Sequence, residues 1–346
     1  MKTKILFAVL LISFLWAASC SNDNLSPISQ EEGEPIINCR TDLAMAEHFQ
    51  LSPVSREAME RFEEFTRNHV DRFYRGGRTQ AGSYNIPVVF HVYGTDFAGK
   101  TVNDATIINA LQKVNEDFHG LNDDYNTVDP YFQSLRSAFD VTFKLATRDP
   151  QGNPTTGIVY YPAKSGYGNR SADDEVAADA WDNYKYCNVY IQLDLYDNGA
   201  LNNSGVAWYP DVSMSDDNTA RIVYNGRYLY GNTNKEFAST LSHEFGHWWN
   251  LIHTFEGGCR KPNETRCATT GDRVCDTPQA SSNDVCSTLT NCVKKRVNTE
   301  NYMGYSGAGG CYKMFTVGQV ARMEAATQHP ARVTLWQQSN LTATGI

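Results

Sequence analysis

From Tyr84 the chain reads YNIPVVFHVYG, an apolar run of β-branched and aromatic residues with little polar interruption. It predicts a strand buried on both faces. Further on, VNDATIINALQKVNEDF places Ile107, Ile108, Leu111, Val114 and Phe118 at three- and four-residue spacing, which predicts an amphipathic helix. AFDVTFKLAT (138–147) alternates as a strand and YCNVYIQL (186–193) reads as another. With SGVAWYP and ARIVYNGRYL they make an expected sheet of about five strands, a common size. Upstream, residues 44–74 turn helical in their second half. Thr233 and Glu236 have the spacing of a capping box that would open a helix through LSHEFGHWW, and Thr316 with Gln319 repeats that signal before a last helix. Between these two helices the chain is rich in loops and cysteine.

Composition changes this picture little. The 346 residues suit one or two domains, and 41% hydrophobic with 20% charged residues is ordinary for a globular protein. A net charge of -9 argues against nucleic acid as a partner. The first residues do change it. Lys2 and Lys4 precede an apolar run from Ile5 to Trp16, then Ala17, Ala18, Ser19 and Cys20. That is an export signal, too short to span a membrane. Cys20 directly after it matches the lipid-attachment site of bacterial lipoproteins; the alternative is plain cleavage beside an incidental cysteine. The organisation expected is a signal over 1–19, a tether and pro-segment over 20–78, and a catalytic domain over 79–346 divided near residue 253. The basic break RGGRTQAGS at 75–83 would be the exposed, protease-sensitive joint. Lipid at Cys20 would fix the protein to the cell envelope, at the outer membrane or cell surface, with release after processing as the other outcome.

Nine cysteines in an exported chain permit disulfides. With Cys20 set aside, Cys259, Cys267, Cys275, Cys286, Cys292 and Cys311 crowd together, while Cys39 and Cys187 stand alone. Six cysteines allow 15 pairings, and their spacing does not choose among them.

The chemistry concentrates in LSHEFGHWWNLIHTFEGG. His243 and His247, four apart on a helix, project toward one point, with Glu244 able to reach a water held there. His253 would face elsewhere if the helix ran on, being six residues past His247. To reach the same ion the chain must end the helix and reverse after Trp249, and Asn250 tolerates the positive φ that such a turn needs. Two solvent-facing histidines would be the bland reading of the first pair. The third histidine and the turn residue weigh against it.

These residues, with GDRVCDTP, NYMGYS and FTVGQVARM, resemble the pappalysin family of metzincin peptidases from about residue 86 to 323. The resemblance implies the metzincin α+β fold: a twisted, mostly parallel sheet with two long helices above the cleft and a disulfide-rich subdomain below. It implies zinc on His243, His247 and His253, with Glu244 as general base for water attacking a peptide carbonyl. Met303 would form the apolar floor of the metal site and Tyr305 would stabilise the oxyanion. The chain departs from the family motif in carrying Asn250 where glycine is usual. Calcium is implied at Asp272, Thr277 and the carbonyl of Cys275; the residues alone fit an Asp-capped turn equally well. The implied disulfides are Cys259–Cys292 and Cys286–Cys311, leaving Cys267–Cys275. Cys39, in NCRTD, partly matches a pro-segment cysteine that would fill the open zinc position and hold the enzyme latent; a bridge to Cys187 is the alternative. Substrates would be proteins or peptides. The segment SGAGGC lacks the aspartate that favours basic side chains in relatives, so that preference is not carried over. A competing function is an inactive, peptidase-like surface binding protein, which intact Glu244 and histidines disfavour.

Overall fold

A computed structural model describes Ile36 and residues 38–76, 82–260 and 265–346. The export signal, Cys20, nearly all of the tether, and Arg78 lie outside them. The run at Tyr84 forms β1 (Tyr84–Tyr93), buried along nearly its whole length. One edge of β1 pairs in succession with β2 (Val141–Leu145) and β3 (Ile158–Tyr161), and the other pairs with β4 (Cys187–Gln192), all parallel. Next come β6 (Ile222–Asn225), parallel to β4, and β5 (Gly205–Ala207), antiparallel to β6 at the edge. The sheet has six strands rather than five. The one missed, β3, is four residues long and too short to show a period.

Helix α1 (Thr41–Leu51) and helix α2 (Pro53–Tyr74) lead into the sheet. The Ser52 hydroxyl accepts from Ser55 N at 3.3 Å and Pro53 opens α2, so a residue pair suited to helix starts sets the bend. Helix α3 (Asp104–His119) starts on Asn103 and stops at Gly120, whose φ is 63°. Ile107, Leu111, Val114 and Phe118 are buried as expected, but Ile108 is 49% exposed. It lies one residue, about 100°, off the apolar stripe.

Short helices α4 (Asp173–Asp179) and α5 (Val212–Asp216) decorate the sheet. The expected capping box at Thr233 does not form. Asn234, a stronger N-cap, accepts from Phe237 N at 2.8 Å and starts α6 (Lys235–Ala238). His243 and His247 sit on a separate helix, α7 (Thr240–Trp248), and His253 lies beyond its end. The second box is complete: Thr316 accepts from Gln319 N at 3.2 Å and Gln319 Oε1 from Thr316 N at 2.9 Å, opening α8 (Val317–Ala326). Helix α9 (Gln338–Thr344) ends the chain.

Below α7 the chain is mostly loop, tied by Cys259–Cys292, Cys267–Cys275 and Cys286–Cys311. Cys39 and Cys187 are both free and buried, so they do not bridge. Among the described residues no helix is long and apolar enough to cross a membrane.

Candidate metal centre

His243 and His247 leave α7 on one face. The helix then closes with a Schellman turn: Leu251 N donates to Gly246 O at 2.9 Å and Asn250 N to His247 O at 2.8 Å. Asn250 takes the left-handed position at φ 70°. The reversal carries His253 back, and the three Nε2 atoms lie 2.9, 3.1 and 3.1 Å apart. Each ring's other nitrogen has an acceptor. His243 Nδ1 donates to Tyr302 O at 2.7 Å, His247 Nδ1 to Leu251 O at 2.7 Å, and His253 Nδ1 to the Asp42 carboxylate. With the protons on Nδ1, three Nε2 lone pairs converge and nothing among them can donate. A single bound cation would satisfy all three at once. The spacing is near the roughly 3.3 Å nitrogen–nitrogen edge expected for tetrahedral zinc.

Cys39 completes the group. Its Sγ and the three imidazoles lie within 4.8 Å of one another, all buried. The nitrogen and sulfur donor set suits zinc rather than calcium or magnesium. Burial, then the neighbouring His253, lowers the His243 pKa to about 3 and that of His247 as well, keeping both neutral as ligands must be.

Glu244 is fully buried. Cys39 Sγ donates to its Oε2 at 3.4 Å, and its Oε1 has no hydrogen-bond partner. Desolvation pushes its pKa well above the usual 4.5. A Cβ on Gly205 would run into this carboxylate, so glycine in β5 makes room for it. Tyr305 donates to Cys39 O at 2.6 Å. Met303 is fully buried with its sulfur against Gly246, where a side chain on the helix would collide with it. Asp272 is buried and its pKa is raised to about 8 by burial. The Thr277 hydroxyl lies within hydrogen-bonding reach of Asp272 Oδ2 and of Val274 O, the latter at 3.0 Å. This is an oxygen-only set, compatible with calcium, and Cys275 beside it is bridged to Cys267.

Two participants carried no sequence signal of their own. Asp42 reaches His253 from α1, and burial, opposed and outweighed by that histidine, leaves its carboxyl well below the ordinary range. Glu63 of α2 pairs with Arg322, with Nη1 to Oε2 at 2.7 Å. Their partners lie more than 200 residues away, where no period or motif reaches.

Fold and centre together define a metzincin-type zinc metallopeptidase, and the comparisons agree. The family model described as pregnancy-associated plasma protein-A, a peptidase family, matches residues 170–328. An extracellular metalloprotease of Sordaria macrospora is 29% identical over 299 residues, covering 83% of this chain and 86% of its own. Another, from Coccidioides posadasii, is 39% identical over 152 residues, covering 41% of this chain and 49% of its own. Among solved structures, a Tannerella forsythia promirolysin mutant matches with a TM-score of 0.70 and 25% identity, covering 90% of this chain and 99% of that one. Mature mirolysin in complex with a cleaved peptide matches with a TM-score of 0.63 and 27% identity, covering 76% and 98%. The likeness to the pappalysin family model runs over residues 170–328, and the chain is an exported zinc metalloendopeptidase.

Proposed function

We propose that the centre works through named residues and is held latent in the described form. His243, His247 and His253 would hold the zinc, which when bound would supply Lewis acidity that lowers the pKa of a water. Glu244 accepts the proton from that water as it attacks, then delivers it to the leaving amine. Its buried, partnerless Oε1 and raised pKa suit a group that must bind and release a proton. Tyr305 turns its hydroxyl toward the oxyanion once Cys39 O no longer accepts from it.

Residues 20–78 act as the pro-segment. One observation carries this reading: Cys39 Sγ stands between the three imidazoles and Glu244, where the attacking water must sit. Thr41 fastens it there, its hydroxyl bonded to Ala207 N and Ala207 O on edge strand β5, both at 3.0 Å. The precursor of mirolysin covers 90% of this chain and the mature form 76%, which supports a removable N-terminal portion. Cleavage near Arg75–Arg78 frees the cleft. Calcium binds at Asp272, Thr277 and a neighbouring carbonyl, and Cys20 carries lipid. Cys39→Ala should give a precursor that hydrolyses a peptide, or processes itself, without the lag of the unaltered chain. A lag that persists unchanged in Cys39→Ala sinks the latency reading.

A further inference from the structure

The segment 36–76 is anchored a second time, at the turn that closes α7. The Glu63 carboxylate meets both terminal nitrogens of Arg322, Arg273 Nη1 at 3.0 Å, and Asn250 Nδ2 at 3.4 Å. Glu63 belongs to α2, whereas its partners belong to α8, to the loop after His253 and to the turn closing α7. Arg322 is 2% exposed, and its Nε is spent on Asn250 O at 2.7 Å, so its planar head is held in place without help from α2. Arg273 sits in the loop closed by Cys267–Cys275. Burial works against the Glu63 charge, yet Arg322 and then Arg273 bring its pKa down to about 2. Two carboxylates of the same region are already engaged. Asp272 is engaged by Val274 N and Thr277, and Asp276 by Thr316 Oγ1 and Gly318 N. A cavity of about 250 Å³ adjoins the pair, and Arg273 also lines a second, of about 310 Å³, beside Asp42 and Glu256 at the cleft.

We propose that, once the segment leaves, Arg273, Arg322 and Asn250 form a carboxylate subsite of the mature peptidase that takes an acidic side chain of the protein substrate, away from the scissile bond. The subsite rests on the reading of residues 20–78 as a pro-segment. The occupant is argued from Glu63 itself: a glutamate side chain already sits in the clamp, in the two-pronged geometry that favours carboxylates over other anions. In a chain of net charge -9, two arginines at one point are also a local attraction for acidic partners.

The test starts from full-length protein activated to completion, with mass spectrometry reporting whether residues 36–76 have gone. Peptides carrying one glutamate, moved stepwise outward from the cleavage site, are compared with glutamine at the same place. At one or two outlying positions the kcat/KM ratio of glutamate to glutamine should reach about tenfold, the scale of a partly exposed charge-assisted pair. The ratio should fall toward one in Arg273→Gln and recover partly in Arg273→Lys. Arg322 stays unaltered, because its Nε also supports the turn at Asn250. A ratio near one at every position, or an undiminished ratio in Arg273→Gln, overturns the subsite alone. Retention of residues 36–76 by the active enzyme overturns both it and the pro-segment reading.

Discussion

Residues 84–229 and residues 254–312, here the first and the second wall, are held together by different means. The first wall is a mostly parallel sheet whose central strand carries Val88, Phe90 and Val92 at 0% exposure, with α3 laid against the sheet. Its geometry follows from apolar burial and the backbone ladder. The second wall is held by covalent and polar ties: three disulfides, Asn283 Nδ2 donating to Thr254 Oγ1 and Asn298 O at 3.0 Å each, and the paired amides of Asn301 and Gln319. A wall made the first way fails as a whole when its core is cut. A wall made the second way loosens locally.

The sharpest way to break that contrast is Phe90→Ala, which should cost about 3–5 kcal/mol and lower the single melting transition of the whole molecule. If calorimetry instead finds a separate early transition with the rest untouched, the sheet is not the common core. Replacing Cys286 and Cys311 together by serine should cost less, about 3 kcal/mol for the loop they close. Hydrogen exchange should rise around residues 284–312 while β1 and β4 stay protected; equal loss of protection in both walls would erase the distinction. Glu244→Ala leaves both walls alone. Turnover should fall on the order of a hundredfold or more with zinc content and melting temperature kept, and near-normal turnover would remove Glu244 from the chemistry. Asn250→Val attacks the seam. A β-branched side chain at φ 70° is strained, and zinc affinity should drop about tenfold as His253 loosens. Full affinity by metal-buffered titration would refute the role given to that turn.

The same contrast explains what was legible beforehand. Helix α3 could be read because burial of one face imposes a period on the sequence, and β1 because burial of both faces leaves an unbroken apolar run, whereas α7, buried all round, was read from a capping box at Thr233 that does not form. The metal centre could be read because two histidines four apart, a third beyond the helix end and an asparagine between them admit one local geometry. Whether Cys39 bridged Cys187 could not be read; the structure shows both thiols free, with the Cys39 sulfur beside Glu244. Asp42 and Glu63 were not readable at all, since an ion pair across hundreds of residues leaves no trace in spacing. In the second wall, cysteine positions announced bridges but not partners, and the pairing rested on resemblance.

The end of α7 has a consequence for the order in which the protein comes into being. Two carbonyls at its end take distant donors: Asn250 O accepts from Arg322 Nε at 2.7 Å and Trp248 O from Arg332 Nε at 3.2 Å. The turn that delivers the third histidine is therefore finished by side chains made 72 and 84 residues later. A chain still emerging from the ribosome or threading through a membrane carries all three histidines before it carries either arginine. The N-terminal cysteine arrives earlier still. Synthesis thus runs Cys39 first, the three histidines second and the support of their turn last, so the turn is completed only when the chain is nearly whole.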